Sequence, residues 1–156
     1  MIDRLKFYSK EVLSFVVVLT ILTNIVSYYK ASDLNQNKLD IENISLNNKP
    51  ILIHFWSTWC PTCKIEASNI QTISEHYNVL TIAVNSKDDK NIKKYLKENS
   101  LNFKFINDKN SFYAKKFNIS AYPTTLIYDK NKNIIFSDVG YTSTFGLWAR
   151  MWWAGL

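Results

Sequence analysis

The only two cysteines of the chain, Cys60 and Cys63, flank Pro61 and Thr62 and follow directly on a short apolar run, Ile51 to Trp56, that opens after Pro50. No other feature constrains the fold as much. An apolar run of that length reads as a strand buried on both faces in the middle of a sheet. Pro61 suits the first turn of a helix, where its missing N–H is no loss. Ile70, Ile73 and Tyr77 then recur at spacings of three and four, so a helix is expected from about Cys60 to His76. A thiol pair at such a junction lies at the free N–H groups and positive dipole end of the helix. There the pKa of Cys60 should fall below the ~8.5 of free cysteine and favour the thiolate, the form that attacks a disulfide. Two residues of spacing bring Cys63 close enough to resolve the mixed disulfide. Two other readings remain, an inert structural disulfide and half of a metal site. Two thiols leave a tetrahedral zinc site unfilled, and the two histidines fit it poorly: His54 lies inside the buried strand and His76 at the far end of the helix.

The rest of the pattern alternates strands with helices. Val79 to Val84 reads as a second buried strand, Ile92, Tyr95 and Leu96 as an amphipathic helix on a lysine-rich surface, and Phe103 and Phe105 as the alternation of a third strand. A short helix is expected over Ser111 to Phe117. After Pro123, Thr124 to Tyr128 and Ile134 to Ser137 form a hairpin across the polar turn Asp129 to Asn133. Phe145, Trp148 and Trp152 outline a last helix. The sum is an α/β fold, a mixed central sheet flanked by helices.

A chain of 156 residues has room for about one such domain, and its N-terminal part stands apart from it. Val12 to Tyr29 is uncharged throughout. As a helix rising ~1.5 Å per residue it nearly matches a hydrocarbon core of ~30 Å. Arg4, Lys6 and Lys10 precede it and only Lys30 follows closely, which puts the N-terminus in the cytoplasm and the remainder on the exported side. A cleavable signal peptide is the rival, but the run ends in Tyr28, Tyr29 and Lys30 rather than in small residues. The expected organisation is therefore a cytoplasmic tip and transmembrane anchor over residues 1–30, a tether and edge segment over 31–48, and the α/β domain over 49–156.

Composition narrows the function. Apolar residues make up 47% of the chain and aromatics 15%, which excludes a disordered tail. Basic residues number 19 against 13 acidic, a net +6, yet only Arg4 and Arg150 are arginines and the lysines are interspersed with carboxylates. That is not the clustered face or module of a nucleic-acid binder.

Phe55-Trp56-Ser57-Thr58-Trp59-Cys60-Pro61-Thr62-Cys63 resembles the active-site segment of the thioredoxin superfamily, and Tyr122-Pro123-Thr124-Thr125 resembles its cis-proline loop. The likeness runs from about Asn47 to Val139. With the anchor and the extra strand–helix segment between Leu101 and Asn118, the pattern is similar to the bacterial membrane-tethered TlpA, ResA and CcmG-like thiol–disulfide oxidoreductases. The tail from Gly140 to Trp153 resembles the suppressor-of-copper-sensitivity protein D type of protein disulfide oxidoreductase.

The resemblance implies that Cys60 is the exposed nucleophile, Cys63 the buried resolving thiol and Tyr122-Pro123 a cis bond, which costs little before proline. It implies that the backbone of Tyr122 pairs with the substrate chain and that Trp59 covers the site. Many thioredoxins carry a buried aspartate where this chain has His54. His54 then either relays protons as a neutral imidazole or is a hydrogen-bonded core residue. Glu66, one turn after Cys63, is the other nearby acid or base, or else a solvated helix carboxylate.

The function expected is a thiol–disulfide oxidoreductase of the bacterial inner membrane, single-pass, with its catalytic domain in the periplasm. It needs no cofactor or bound metal. Its partners are protein thiols and disulfides, a membrane electron donor or acceptor and the lipid bilayer, with no nucleic acid. The family leans to reduction. The alternative is a Cu(I) carrier using the same cysteine pair as soft ligands, and a narrower substrate choice is the apocytochrome CxxCH peptide. In the last helix, packing against the sheet accounts for one face, and the surplus tryptophan suits a membrane interface.

Overall fold

The computed structural model describes residues 49–156 and eight positions of the N-terminal segment: Val12, Ser14, Phe15, Val17, Val18, Ile21, Leu22 and Ile25. Those eight are helical and exposed. The expected anchor, its flanking tip and the tether otherwise lie outside the described residues. Among the described residues no helix is long and apolar enough to cross a membrane.

The domain alternates as expected: β1 (Ile51–Trp56), α1 (Pro61–Ser74), β2 (Asn78–Val84), α2 (Asp89–Glu98), β3 (Phe105–Asp108), α3 (Phe112–Lys116), β4 (Thr124–Tyr128), β5 (Ile134–Val139) and α4 (Thr144–Ala154). The strands form one sheet in the order β3-β2-β1-β4-β5. β1, β2 and β3 run parallel, while β4 and β5 are antiparallel to their neighbours. β1 is thus central, and every one of its residues is buried. Alternation along it divides the core. Leu52 and Trp56 face a cluster with Ile70 and Ile73 of α1, Ile92 and Leu96 of α2, and Leu147 and Met151 of α4. Ile53 and Phe55 face the other cluster, with Ile82, Leu126, Tyr128 and the Ala114–Phe117 region of α3.

Capping explains the boundaries. Asp88 caps α2 by accepting from Asn91 N–H at 2.8 Å. Buried Asp108 accepts from the N–H groups of Tyr113 at 3.2 Å and Ala114 at 2.9 Å, fixing the entry to α3. Asp129 holds the hairpin turn, its Oδ1 accepting from Asn131 and Asn133 N–H at 2.8 Å each. Phe103 departs from its expected place in β3. It precedes the strand and is buried edge-on to Trp56, with ring centroids 5.7 Å apart.

The last helix differs more. The stripe Phe145, Trp148 and Trp152 was the pattern that marked it, but the face packed on the sheet is Leu147, Met151 and Ala154. α4 is apolar on both sides. A periodic stripe in the sequence reports a helix without reporting which of two apolar stripes faces the core.

Candidate active site

The Cys60–Cys63 pair stands where β1 hands the chain to α1. Cys60 is the N-cap of α1 and Pro61 begins its first turn. The cysteines are joined in a disulfide, with Cα atoms 5.3 Å apart, and Cys63 N–H donates to Cys60 Sγ at 3.2 Å. No acidic residue lies in the first turn of α1. The positive end of the helix therefore acts on Cys60 unopposed from its own turn. In the dithiol form that environment favours a Cys60 thiolate.

The approach to the helix is pinned from below. Ser57 Oγ donates to Val84 O and lies 3.1 Å from Ser86 Oγ. Ser86 Oγ in turn accepts from Thr58 N–H at 3.0 Å. These two buried serines tie the active-site loop to the end of β2. Reading the sequence did not single them out; the signal was a serine just beyond each of two adjacent apolar runs.

The Tyr122-Pro123 peptide is cis. It brings Tyr122 O to 3.6 Å from Cys60 Sγ, so this backbone lies beside the sulfur that would bond to a substrate. Trp59 sits edge-on to Tyr122, with ring centroids 6.0 Å apart, and is 59% exposed. Gly140, at φ 103, takes a conformation that favours glycine, and its N–H donates to Pro123 O at 2.9 Å, fastening the proline loop to the end of β5. Cys63 is buried, and Cys60 is nearly so at 5% exposure. The exposed nucleophile expected from the family is, in the disulfide form, a sulfur recessed between Cys63 and Tyr122.

His54 and Glu66 have separate environments. His54 pairs in register with Thr81 of β2 and Thr125 of β4, and its Nδ1 lies 3.0 Å from Thr125 Oγ1. Burial lowers its pKa to about 3, so the imidazole is neutral around pH 7. Glu66 is fully buried, not solvated. Burial raises its pKa to about 8, against a hydrogen bond from Thr142 N–H that pulls it down, and with Asp138 pushing it further up. That N–H donates to Oε1 at 3.1 Å, while Oε2 has no hydrogen-bond partner. A protonated carboxyl suits such a place; a carboxylate there would lack most of its acceptor bonds. Asp138 is itself raised by burial and steadied by Arg150 of α4, which meets it through Nη2 at 3.2 Å and Nε at 3.0 Å. Thr142 and Asp138 act on Glu66 across long sequence separations, and the sequence carried no local sign of that. Among the described residues no group of three or more His, Cys, Asp and Glu side chains comes together as metal ligands.

A thioredoxin-like sheet carrying a Cys-x-x-Cys pair at a helix N-terminus, with a cis-proline backbone against the first sulfur, defines a thiol–disulfide oxidoreductase. The Redoxin family model matches residues 15–145, and the chain belongs to that family. A thioredoxin-like protein of Haemophilus influenzae is 27% identical over 164 residues, covering 97% of each chain. Sporulation thiol-disulfide oxidoreductase A of Bacillus subtilis is 29% identical over 108 residues, 64% of this chain and 66% of that one. The crystal structure of StoA from Bacillus subtilis superposes with a TM-score of 0.62 at 21% identity, covering 74% of this chain and 92% of that one.

Proposed function

We propose that this is a membrane-anchored enzyme that reduces disulfides of exported proteins. The observation that carries the chemistry is the placement of Cys60 Sγ between Cys63 N–H and Tyr122 O. In the dithiol form the Cys60 thiolate attacks a substrate disulfide, forming a mixed disulfide and expelling one substrate thiolate. Cys63, as its thiolate, attacks Cys60 Sγ, re-forming the enzyme disulfide and releasing the second substrate thiol. Two electrons pass to the substrate in each turn. Restoring the dithiol calls for a thiol donor, for which a membrane dithiol is the natural source.

Cys63 is buried and must lose its proton to act. Glu66, one turn further along α1 and with a pKa of about 8, can exchange a proton near neutral pH. His54, held near 3, does not take one up there. The uncharged run Val12 to Tyr29 and the basic residues ahead of it support anchoring with the domain outside the cytoplasm. Among family branches, the tail from Gly140 to Trp153 supports a place beside the suppressor-of-copper-sensitivity protein D type.

Catalytic reduction of insulin by the full chain with dithiothreitol as donor tests the reading. Cys60→Ala should abolish turnover, and Cys63→Ser should trap a mixed disulfide visible on a non-reducing gel. Retention of Cu(I) through gel filtration, with no turnover, would instead favour the carrier.

A further inference from the structure

The outer side of α4 is an aromatic stripe that the domain leaves uncovered. Phe145 is 83% exposed, Trp148 44% and Trp152 56%. With Ala149 and Thr144 they line one shallow apolar depression. Their spacing puts them on one helical face, beside the buried stripe of Leu147 and Met151. Trp148 is braced edge-on by Tyr77, with centroids 5.5 Å apart, which fixes its ring in the surface. The site chemistry makes no use of these rings.

Two features of the molecule say what covers them. The first is where the chain enters. Lys49 and Pro50 line a second depression together with Trp152, Gly155 and Leu156. The segment leading back to the uncharged run Val12–Tyr29 therefore leaves the domain at the C-terminal end of the stripe. Only residues 31–48 separate the domain from the anchor, a reach of at most ~60 Å at ~3.3–3.6 Å per residue, so an anchor in the bilayer holds this end of α4 within reach of the headgroups. The second is size. At the ~150–250 Å² that an aromatic side chain carries, the three rings expose on the order of 400 Å². That is about half of the ~800 Å² that each partner of a stable protein pair buries. A bilayer surface needs no matching patch, and tryptophan favours the interface.

We infer that the Phe145–Trp148–Trp152 face of α4 docks on the lipid bilayer interface beside the anchor. This rests on the anchored reading given above. α4 begins next to Thr142, which binds Glu66 near the cysteines, and ends beside Pro50 at the start of β1.

The test uses the full chain in liposomes of phosphatidylcholine and phosphatidylglycerol, with and without phosphatidylcholine brominated near the headgroup end of its tails. Flotation after alkaline washing reads the anchor; quenching of tryptophan emission reads the stripe. The expected result is that the wild-type chain floats and loses a third or more of its emission to the brominated lipid. Phe145→Glu/Trp152→Glu should float equally but lose less than half as much. Trp152→Phe, which keeps the apolar face, should retain the residual quenching of Trp148 and guards against misfolding of the double variant. A chain that floats but is quenched no more than the double variant overturns docking and leaves the anchor standing. Cross-linking of two copies through α4 with the rings unquenched overturns it in favour of self-association. A chain extracted by alkali overturns the anchored reading and the docking with it.

Discussion

Replacing Glu66 by Gln should uncover a pH dependence that the native chain conceals. Two buried groups act in opposite directions. Glu66 rises from an ordinary 4.5 to about 8 on folding. Between those values the folded state holds a proton that the unfolded state has released, so stability is full below 4.5 and falls as pH rises towards 8. His54 drops from 6.5 to about 3. Between those values the unfolded state holds the extra proton, so stability is full above 6.5 and is lost as pH falls towards 3. Each contributes about 1.4 kcal/mol per pH unit within its window. From pH 4.5 to 6.5 the two cancel and the native chain should be nearly flat, and from 6.5 to 8 it should lose about 2 kcal/mol. With Gln at 66 the amide oxygen still accepts from Thr142 N–H, and of the two limbs the His54 one remains. The variant should gain about 3 kcal/mol from pH 4.5 to 6.5 and then level off to pH 8. Asp138, raised by burial, is present in both chains and drops out of their difference. Urea unfolding of the disulfide form in detergent micelles, followed by tryptophan emission across this range, measures the two profiles. Parallel profiles would refute the argument, because they would mean that Glu66 ionises in the folded protein much as it does in the unfolded one.

Met151, fully buried between α4 and the sheet, should cost ~2–5 kcal/mol on substitution by Ala, read as a lower urea midpoint with unchanged slope. Asp108→Ala strips the acceptors from the N–H groups of Tyr113 and Ala114. A loss of ~1–3 kcal/mol is expected for each buried donor left unpaired, with early hydrogen exchange at α3.

Most of the fold was legible because each element carried its own signal: the apolar run of β1, the proline opening α1, the Asp129 turn of the hairpin. The cysteine site was legible because both thiols lie within one turn of one helix. What local pattern could not supply was the environment of Glu66. Its burial depends on Asp138 in the second strand of the hairpin and Thr142 just after it, and in the sequence a glutamate on a helix reads as solvated. The same limit applied to α4, where two apolar stripes share one periodicity and only the packed sheet distinguishes Leu147 and Met151 from Trp148 and Trp152. Ser57 and Ser86 carry no signal of their own, because a serine after a strand looks like any loop residue until the two strands are paired.

The equilibrium redox titration of the full chain in glutathione or dithiothreitol buffers bears most directly on the central claim, that the Cys60–Cys63 couple donates electrons to exported disulfides. Alkylation of the thiols gives the reduced fraction at each poise. A midpoint near or below about −200 mV, where reductases and isomerases lie, is the predicted result. A midpoint nearer −120 mV would make the couple an oxidant that introduces disulfides and would contradict the direction proposed.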